Sequence, residues 1–278
     1  MTRKQSCTQI NDVETVSRQV FSYMKPGVIT NHGMKPEEYR KEISDGNLYS
    51  YEWDGGVLFL RRKESRHLMT FLVRDTDSFP DVELPEDTVM EIQQKPTEKA
   101  VAFWTRNGFT PAFERIRMVR PPCNESPPYK ADGASMVSSA TIENYNDIRK
   151  LVWDSFDHST GCIPNDEELR ASIASGDIII VEFEQPPVQP GAYLYQTALG
   201  GMLRVGEKPA SVEIRQLAIR QDLRGKGLSH DLVTAFTARF AEKKQLVWVR
   251  DGYTPAIKTY KAAGFIPDGR RSVVLVRL

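Results

Sequence analysis

The run Arg224-Gly225-Lys226-Gly227-Leu228-Ser229 alternates cations with glycines at the point where an apolar strand pattern gives way to a helical one. Backbone N–H groups at the start of a helix have no intrahelical acceptor, and the helix dipole adds positive potential there. Glycines let a ligand approach that backbone closely, and Arg224 and Lys226 bring charge to the same spot, so the run suits a diphosphate. ATP and dinucleotide chemistry are disfavoured, because the spacing GxxxxGK[ST] is absent and so are the three glycines of GxGxxG. No other reactive side chains form a comparable set. His32, His67, His158 and His230 are dispersed, with no HExxH or carboxylate spacing; His230, on the first helical turn, reads as a cap or a solvent-facing ring. Cys7, Cys123 and Cys162 are odd in number and far from CxxC spacing, which argues for reduced thiols and against zinc or a disulfide framework. Cys162 lies near Asp166 and Glu167 but has no base placed beside it, and it reads as inert. No metal is expected.

These residues need elements to hold them. ASVEIRQLAIRQ (210–221) reads as a strand; Leu228, Leu232, Val233, Phe236 and Phe240 then share a helical face, and KQLVWVR (244–250) returns as a strand. Strand, glycine turn, helix and strand make the crossover unit of a parallel pairing. DIIIVEFE (177–184) and YLYQTALGGMLRVG (193–206) read as neighbouring strands of the same sheet. Ile142, Tyr145, Ile148, Leu151 and Val152 are expected on one face of an earlier helix, with Thr141 as its N-cap. Towards the end of the chain, Ala256, Ile257 and Tyr260 give helical spacing, Gly264 stops the helix, and Val273 to Val276 form a strand.

A length of 278 residues fits two domains better than one. The proline-rich stretch Val119 to Ser135 is the best linker, which sets expected limits of 1–120, a linker over 121–133, and 134–278. AVAFWTRNGFTP (100–111) aligns with AIKTYKAAGFIP (256–267), and helix, Gly-Phe and Pro at equal spacing point to a duplication. The first half carries a helix from about Pro36 to Ile43 and strands joined by a tight turn at Asp54-Gly55-Gly56. Where a phosphate-binding turn would follow, it has TDSFPDVELPED (76–87), with no glycine and no cation run. Composition, at 40% hydrophobic and 27% charged, is that of a globular chain. Lys plus Arg equals Asp plus Glu at 37 each, so no global field favours nucleic acid or an anionic membrane. With no apolar run of membrane-spanning or signal-peptide type, a cytoplasmic protein is expected.

The strand EIRQLAIRQDL, the turn RGKGLS and the later AIKTYKAAGF, in that order over most of the final 70 or so residues, resemble the GNAT superfamily of N-acetyltransferases. The resemblance implies an α/β chain of two GNAT-like domains, each a twisted mixed β-sheet flanked by helices. The first copy would be degenerate in coenzyme A binding. It also implies an acyltransferase that moves acetyl from acetyl-CoA to a primary amine of a small molecule or peptide by direct attack, as a monomer or homodimer. In the family the turn reads Gln or Arg, two residues, Gly, one residue, then Gly or Ala; Arg224 and Gly227 fit, and Ser229 departs from it. The cofactor site thus implied comprises Arg224, Gly225, Lys226, Gly227, Leu228 and Ser229, with the splayed strand at Leu217, Ala218 and Ile219 pairing with pantetheine. Glu213 resembles the family's general base; otherwise it is a surface carboxylate pairing with Arg204 or Arg215. Tyr260, four residues before Gly264-Phe265, resembles the tyrosine that protonates the departing thiolate; otherwise it is a packing aromatic. Tyr253 stands where the family often has a cofactor-contacting asparagine. A noncatalytic acyl-CoA-binding or sensing protein is the alternative from another class.

Overall fold

The computed structural model describes residues 5–93, 97–123, 135–161, 163–185 and 196–277. Most of the proline-rich linker, Cys162 and the start of the strand expected from Tyr193 lie outside them. The chain begins with β1 (Gln5–Ser6), β2 (Thr8–Gln9), α1 (Val13–Tyr23), β3 (Ile29–Thr30), α2 (Pro36–Ser44), β4 (Leu48–Trp53), β5 (Gly56–Arg62), β6 (His67–Val73), β7 (Val82–Glu83), β8 (Thr88–Ile92), α3 (Thr97–Arg106) and β9 (Thr110–Arg120). It continues through β10 (Ser135–Ser139), α4 (Tyr145–Ser155), α5 (Asp166–Ala174), β11 (Ile178–Gln185), β12 (Gln196–Lys208), β13 (Ser211–Ile219), α6 (Leu228–Arg239), β14 (Lys244–Arg250), α7 (Thr254–Ala262) and β15 (Ile266–Val276).

There are two compact units: Met1–Arg115 with His158–Thr160 and Arg271–Leu278, and Ile116–Asp157 with Gly161–Arg270. The division falls inside β9 and inside β15, whereas the composition places it in the proline-rich stretch. A strand belongs with the sheet whose edge it pairs with, whatever its place in the chain; Val273 to Val276 pair antiparallel with Ile92 to Val89 of β8, so the last residues join the first unit.

In the second unit the sheet order is β10-β11-β12-β13-β14, antiparallel except for the parallel pair β13 and β14. Each face is covered. α6 buries Leu228, Leu232, Val233, Phe236 and the following Phe240, the stripe its spacing predicts, with Val212, Ile214 and Val247 from the strands and Tyr260 from α7. On the other face α4 and α5 bury Tyr145, Ile148, Leu151, Val152, Leu169 and Ile173 against Ile178, Ile180, Met202 and Ala218. Ile142, expected on the α4 stripe, sits instead in a 3₁₀ turn before the helix and is 58% exposed. The tighter turn rotates it off the α-helical face.

The first unit repeats this plan. β6 and β8 are its parallel pair, inside the order β8-β6-β5-β4-β2, with α3 on one face and α1 and α2 on the other. After the parallel pair come α3 and β9, as α7 and β15 follow in the second unit. Both helices close on a glycine in the left-handed region, Gly108 (φ 86°) and Gly264 (φ 85°). The next residue, Phe109 or Phe265, is buried, and its N–H donates to the carbonyl of Trp104 or Tyr260 at 3.0 Å. Trp104 is therefore the counterpart of Tyr260. The copies differ between the parallel strands: the second has the glycine turn and α6, while in the first residues 74–87 hold only the two-residue β7.

Candidate functional site

β13 is set by its partners on both edges. It pairs along its length with β12, from Gly201↔Ile219 to Lys208↔Ser211, but the register slips between Arg204↔Gln216 and Val205↔Ile214, which leaves Arg215 as an extra residue. Such a bulge bends its strand and shifts the alternation of side chains. Val212 and Ile214 before it, and Leu217 and Ile219 after it, all reach the α6 face, whereas Ala218 reaches the α4 face. The parallel ladder with β14 runs only from Ser211↔Lys244 to Ile214↔Val247, and among the described residues it stops at the bulge. Among the described residues, the β14-side edge of β13 has no ladder partner from Arg215 to Ile219. Gly201 belongs to the same device: a Cβ there would overlap the Ile219 side chain and lie 2.8 Å from the Ala218 carbonyl oxygen.

At the end of β13 a 3₁₀ turn, Gln221–Leu223, leads into the glycine run. Gly225 (φ 82°) and Gly227 (φ 87°, the N-cap of α6) take left-handed conformations that other residues rarely adopt. Among the described residues, the N–H groups of Gly225, Lys226, Gly227, Leu228 and Ser229 donate to no protein acceptor, and nothing lies within 4 Å of the Cβ positions of Gly225 or Gly227. An open row of donors at a helix N-terminus, backed by cations, suits an anionic group such as a diphosphate. The Arg224 guanidinium, through Nε, donates to the Ile219 carbonyl at 3.4 Å, and the Lys226 ammonium lies 5.0 Å from the centre of the Phe183 ring. The Ser229 hydroxyl is 3.4 Å from that of Thr259, so the side chain that departs from the family pattern points to α7.

The core places Leu217, Ile219, Leu228 and Tyr260 together on the α6 face. Tyr260 is 4% exposed, its ring lies edge-on to Phe265 at 5.8 Å, and its hydroxyl makes no hydrogen bond among the described residues. Burial pushes its pKa above the ordinary tyrosine range. Glu213, between Val212 and Ile214, points to the opposite, α4 face. It is half-buried and makes no ion pair or hydrogen bond among the described residues. Its suggested partner Arg204 donates instead, through Nε, to Gln216 Oε1 at 2.7 Å. Tyr253 is the N-cap of α7 and 51% exposed, with no side-chain capping bond.

Spacing alone did not single out a cavity of about 460 Å³ on the α4 side of the glycine run, lined by Asp147, Lys150, Leu151, Asp154 and Ser155 of α4, Ala198 and Leu199 of β12, and Arg220, Gln221, Asp222 and Arg224. Arg220 holds Asp222 through two bonds, Nη2 to Oδ2 at 2.5 Å and Nε to Oδ1 at 2.9 Å, and these keep the carboxyl below its ordinary pKa. Lys150 pairs with Asp154 at 2.5 Å. The available signal was the spacing of Asp147, Lys150 and Asp154, which puts a charged stripe beside the apolar one on α4. Among the described residues no three His, Cys, Asp or Glu side chains converge as a metal site requires, and no helix is long and apolar enough to cross a membrane.

A family model described as FR47-like protein matches residues 193–274, the stretch that carries β12, β13, the glycine turn, α6, β14 and α7. The second unit has the GNAT fold. Solved structures extend the likeness in fold to the whole chain. A GCN5-related N-acetyltransferase from Sphaerobacter thermophilus aligns at a TM-score of 0.57 and 12% identity over 97% of this chain and 94% of its own. An acetyltransferase from the GNAT family of Colwellia psychrerythraea aligns at 0.55 and 9% over 98% and 99%. A GCN5-related N-acetyltransferase from Kribbella flavida aligns at 0.50 and 11% over 87% and 93%. No curated protein sequence matches the chain. At 9–12% identity these likenesses are of fold.

Proposed function

We propose that the second unit transfers acetyl, or a similar short acyl group, from its coenzyme A ester to a primary amine of a small molecule or peptide by direct attack. The observation that carries this reading is the open edge of β13 beside a helix N-terminus whose N–H groups donate to no protein acceptor among the described residues, with Arg224 and Lys226 next to them. Acetyl-CoA would supply an acyl group already activated as a thioester. Arg224, Lys226 and the N–H groups of Gly225 to Ser229 would hold its diphosphate, and the free edge at Leu217 to Ile219 its pantetheine. An N–H on that edge, fixed before reaction, stabilises negative charge developing on the acyl oxygen without reorganisation.

Glu213 and Tyr260 would work from opposite faces of β13. The amine must lose a proton to become a nucleophile, and Glu213, on the α4 face, accepts it directly or through water. The cavity beside α4, which the Arg220–Asp222 pair lines, would be where the acceptor enters. Tyr260, protonated on the α6 face, donates to the departing thiolate. The balance of 37 acidic and 37 basic residues leaves the choice of partner to this site, with no pull towards nucleic acid or a membrane surface.

The test is calorimetry with acetyl-CoA, followed by turnover against a panel of amines. Gly227 is a poor place for a blocking side chain, because φ 87° strains any residue but glycine. Lys226→Glu reverses charge at an exposed position and is expected to weaken binding about ten-fold or more. Glu213→Gln is expected to bind acetyl-CoA as the wild type does and to lose about 10²-fold or more in kcat. A wild-type chain that binds no acetyl-CoA would sink the reading; binding without turnover of any amine would move it to an acyl-CoA sensor.

A further inference from the structure

The parallel ladder of the first unit is even shorter than that of the second. β6 and β8 pair only at His67↔Thr88 and Leu68↔Val89. Beyond those pairs the edge of β6 is not left open. β5 covers the opposite edge from Gly56↔Val73 to Arg62↔His67, so β3, which pairs as Ile29↔Val73 and Thr30↔Leu72, takes the edge that β8 has left. The Thr30 hydroxyl donates to the Phe71 carbonyl at 2.5 Å. The Asn31 carboxamide completes the row: its Nδ2 donates to the Met69 carbonyl at 3.0 Å, and its Oδ1 accepts from the Phe71 N–H at 2.8 Å.

Among the described residues, the corresponding stretch of β13, Arg215 to Ile219, has no such cover. Pantetheine presents secondary amides, each with one donor and one acceptor, and a strand edge takes such a group as it takes another strand. The Asn31 side chain offers the same pair of groups to the same kind of edge. The 74–87 connection adds a second filling: Phe79 lies edge-on to Trp104 at 5.3 Å and to Phe103 at 5.8 Å. Trp104 is fully buried at the position where the second unit has Tyr260.

We infer that Ile29–Asn31 is a built-in occupant of the first unit's cofactor cleft, a peptide stand-in for pantetheine, and that the chain therefore binds a single equivalent of acyl-CoA. The stoichiometry rests on the function proposed above; the occupied cleft does not. Amide hydrogen exchange on the full chain, with and without saturating acetyl-CoA, tests both. The Phe71 amide is expected to be protected in the absence of ligand and to gain nothing from acetyl-CoA, while amides of Arg215 to Ile219 gain protection. Asn31→Ala is expected to speed exchange at Phe71 about five-fold or more, and Asn31→Asp, which keeps the acceptor, to restore most of the protection. New protection on β6 from acetyl-CoA, binding of two equivalents, or an unchanged Phe71 rate in Asn31→Ala would overturn the inference. If acetyl-CoA fails to bind at all, the acyltransferase reading falls, and the ligand-free comparison of Asn31→Ala with Asn31→Asp and the wild type still decides whether the cleft is occupied.

Discussion

A tyrosine in an apolar core keeps its proton because the phenolate would have to be desolvated, and that is the state a proton donor needs. Burial raises the pKa of Tyr260 above the usual value of about 10, so no limb of the pH–rate profile below about pH 10 should belong to it. The sign for stability follows. The folded pKa is raised, so the contribution is fully present below the unfolded value of about 10 and is lost as pH climbs towards the folded value. Tyr260→Phe keeps the ring against Phe265 and removes the titration. Its Tm should fall less steeply than that of the wild type above about pH 10, and its kcat should drop about 10²-fold with acetyl-CoA affinity kept. Thermal melts across pH and single-turnover assays check the two halves separately, and an unchanged kcat would return Tyr260 to a packing role. Tyr260 and Glu213 could be singled out in the sequence because each lies at a fixed distance from a motif along the chain, Gly264-Phe265 and the strand before RGKGLS. The cavity could not, because α4, the start of β12 and the Arg220–Arg224 turn meet only in three dimensions.

Periodicity decides which elements could be read in advance. α6 shows a stripe of Leu228, Leu232, Val233 and Phe236, and the folded helix buries that stripe. α5 has no such stripe, although its start is marked: Asn165 Oδ1 accepts from the Glu168 N–H at 2.8 Å, and the Asn165 N–H donates to Glu168 Oε2 at 3.1 Å. Its apolar residues, Leu169 and Ile173, are too few to announce a helix by spacing. The bulge at Arg215 has no periodic signature either, because an extra residue shows only against its partner strand, yet it is what ends the ladder with β14. Gly201 was the visible hint. Gly201→Ala places a methyl against Ile219 and the Ala218 carbonyl, so the end of β13 must shift. The expected result is a loss of about 1–3 kcal/mol in urea unfolding together with weaker acetyl-CoA binding by calorimetry. A variant as stable and as tight-binding as the wild type would show that the open edge tolerates displacement.

For the molecule as a whole, the sequence predicts the two repeats but not where they part, since composition marks flexible stretches and says nothing of which sheet edge a distant strand completes. The eight residues Arg271–Leu278 belong with residues 1–115. Val273 to Val276 pair with β8, Leu275 is wholly buried in the core that α3 covers, and Val274 and Val276 pack with Val89. Removing this segment uncovers an edge of β8 and takes a fully buried leucine from a unit whose other residues end far upstream. A buried leucine truncated to alanine costs about 2–5 kcal/mol, and loss of the whole strand costs more. A chain ending at Arg270 is therefore expected to lose exchange protection first at Thr88 to Ile92 and across the α3 core, although every deleted residue follows the last motif of the second unit. Exchange measured by mass spectrometry on the shortened and full chains checks this. Protection lost only around α6 and α7 would mean that the end of the chain stabilises the unit that precedes it in sequence.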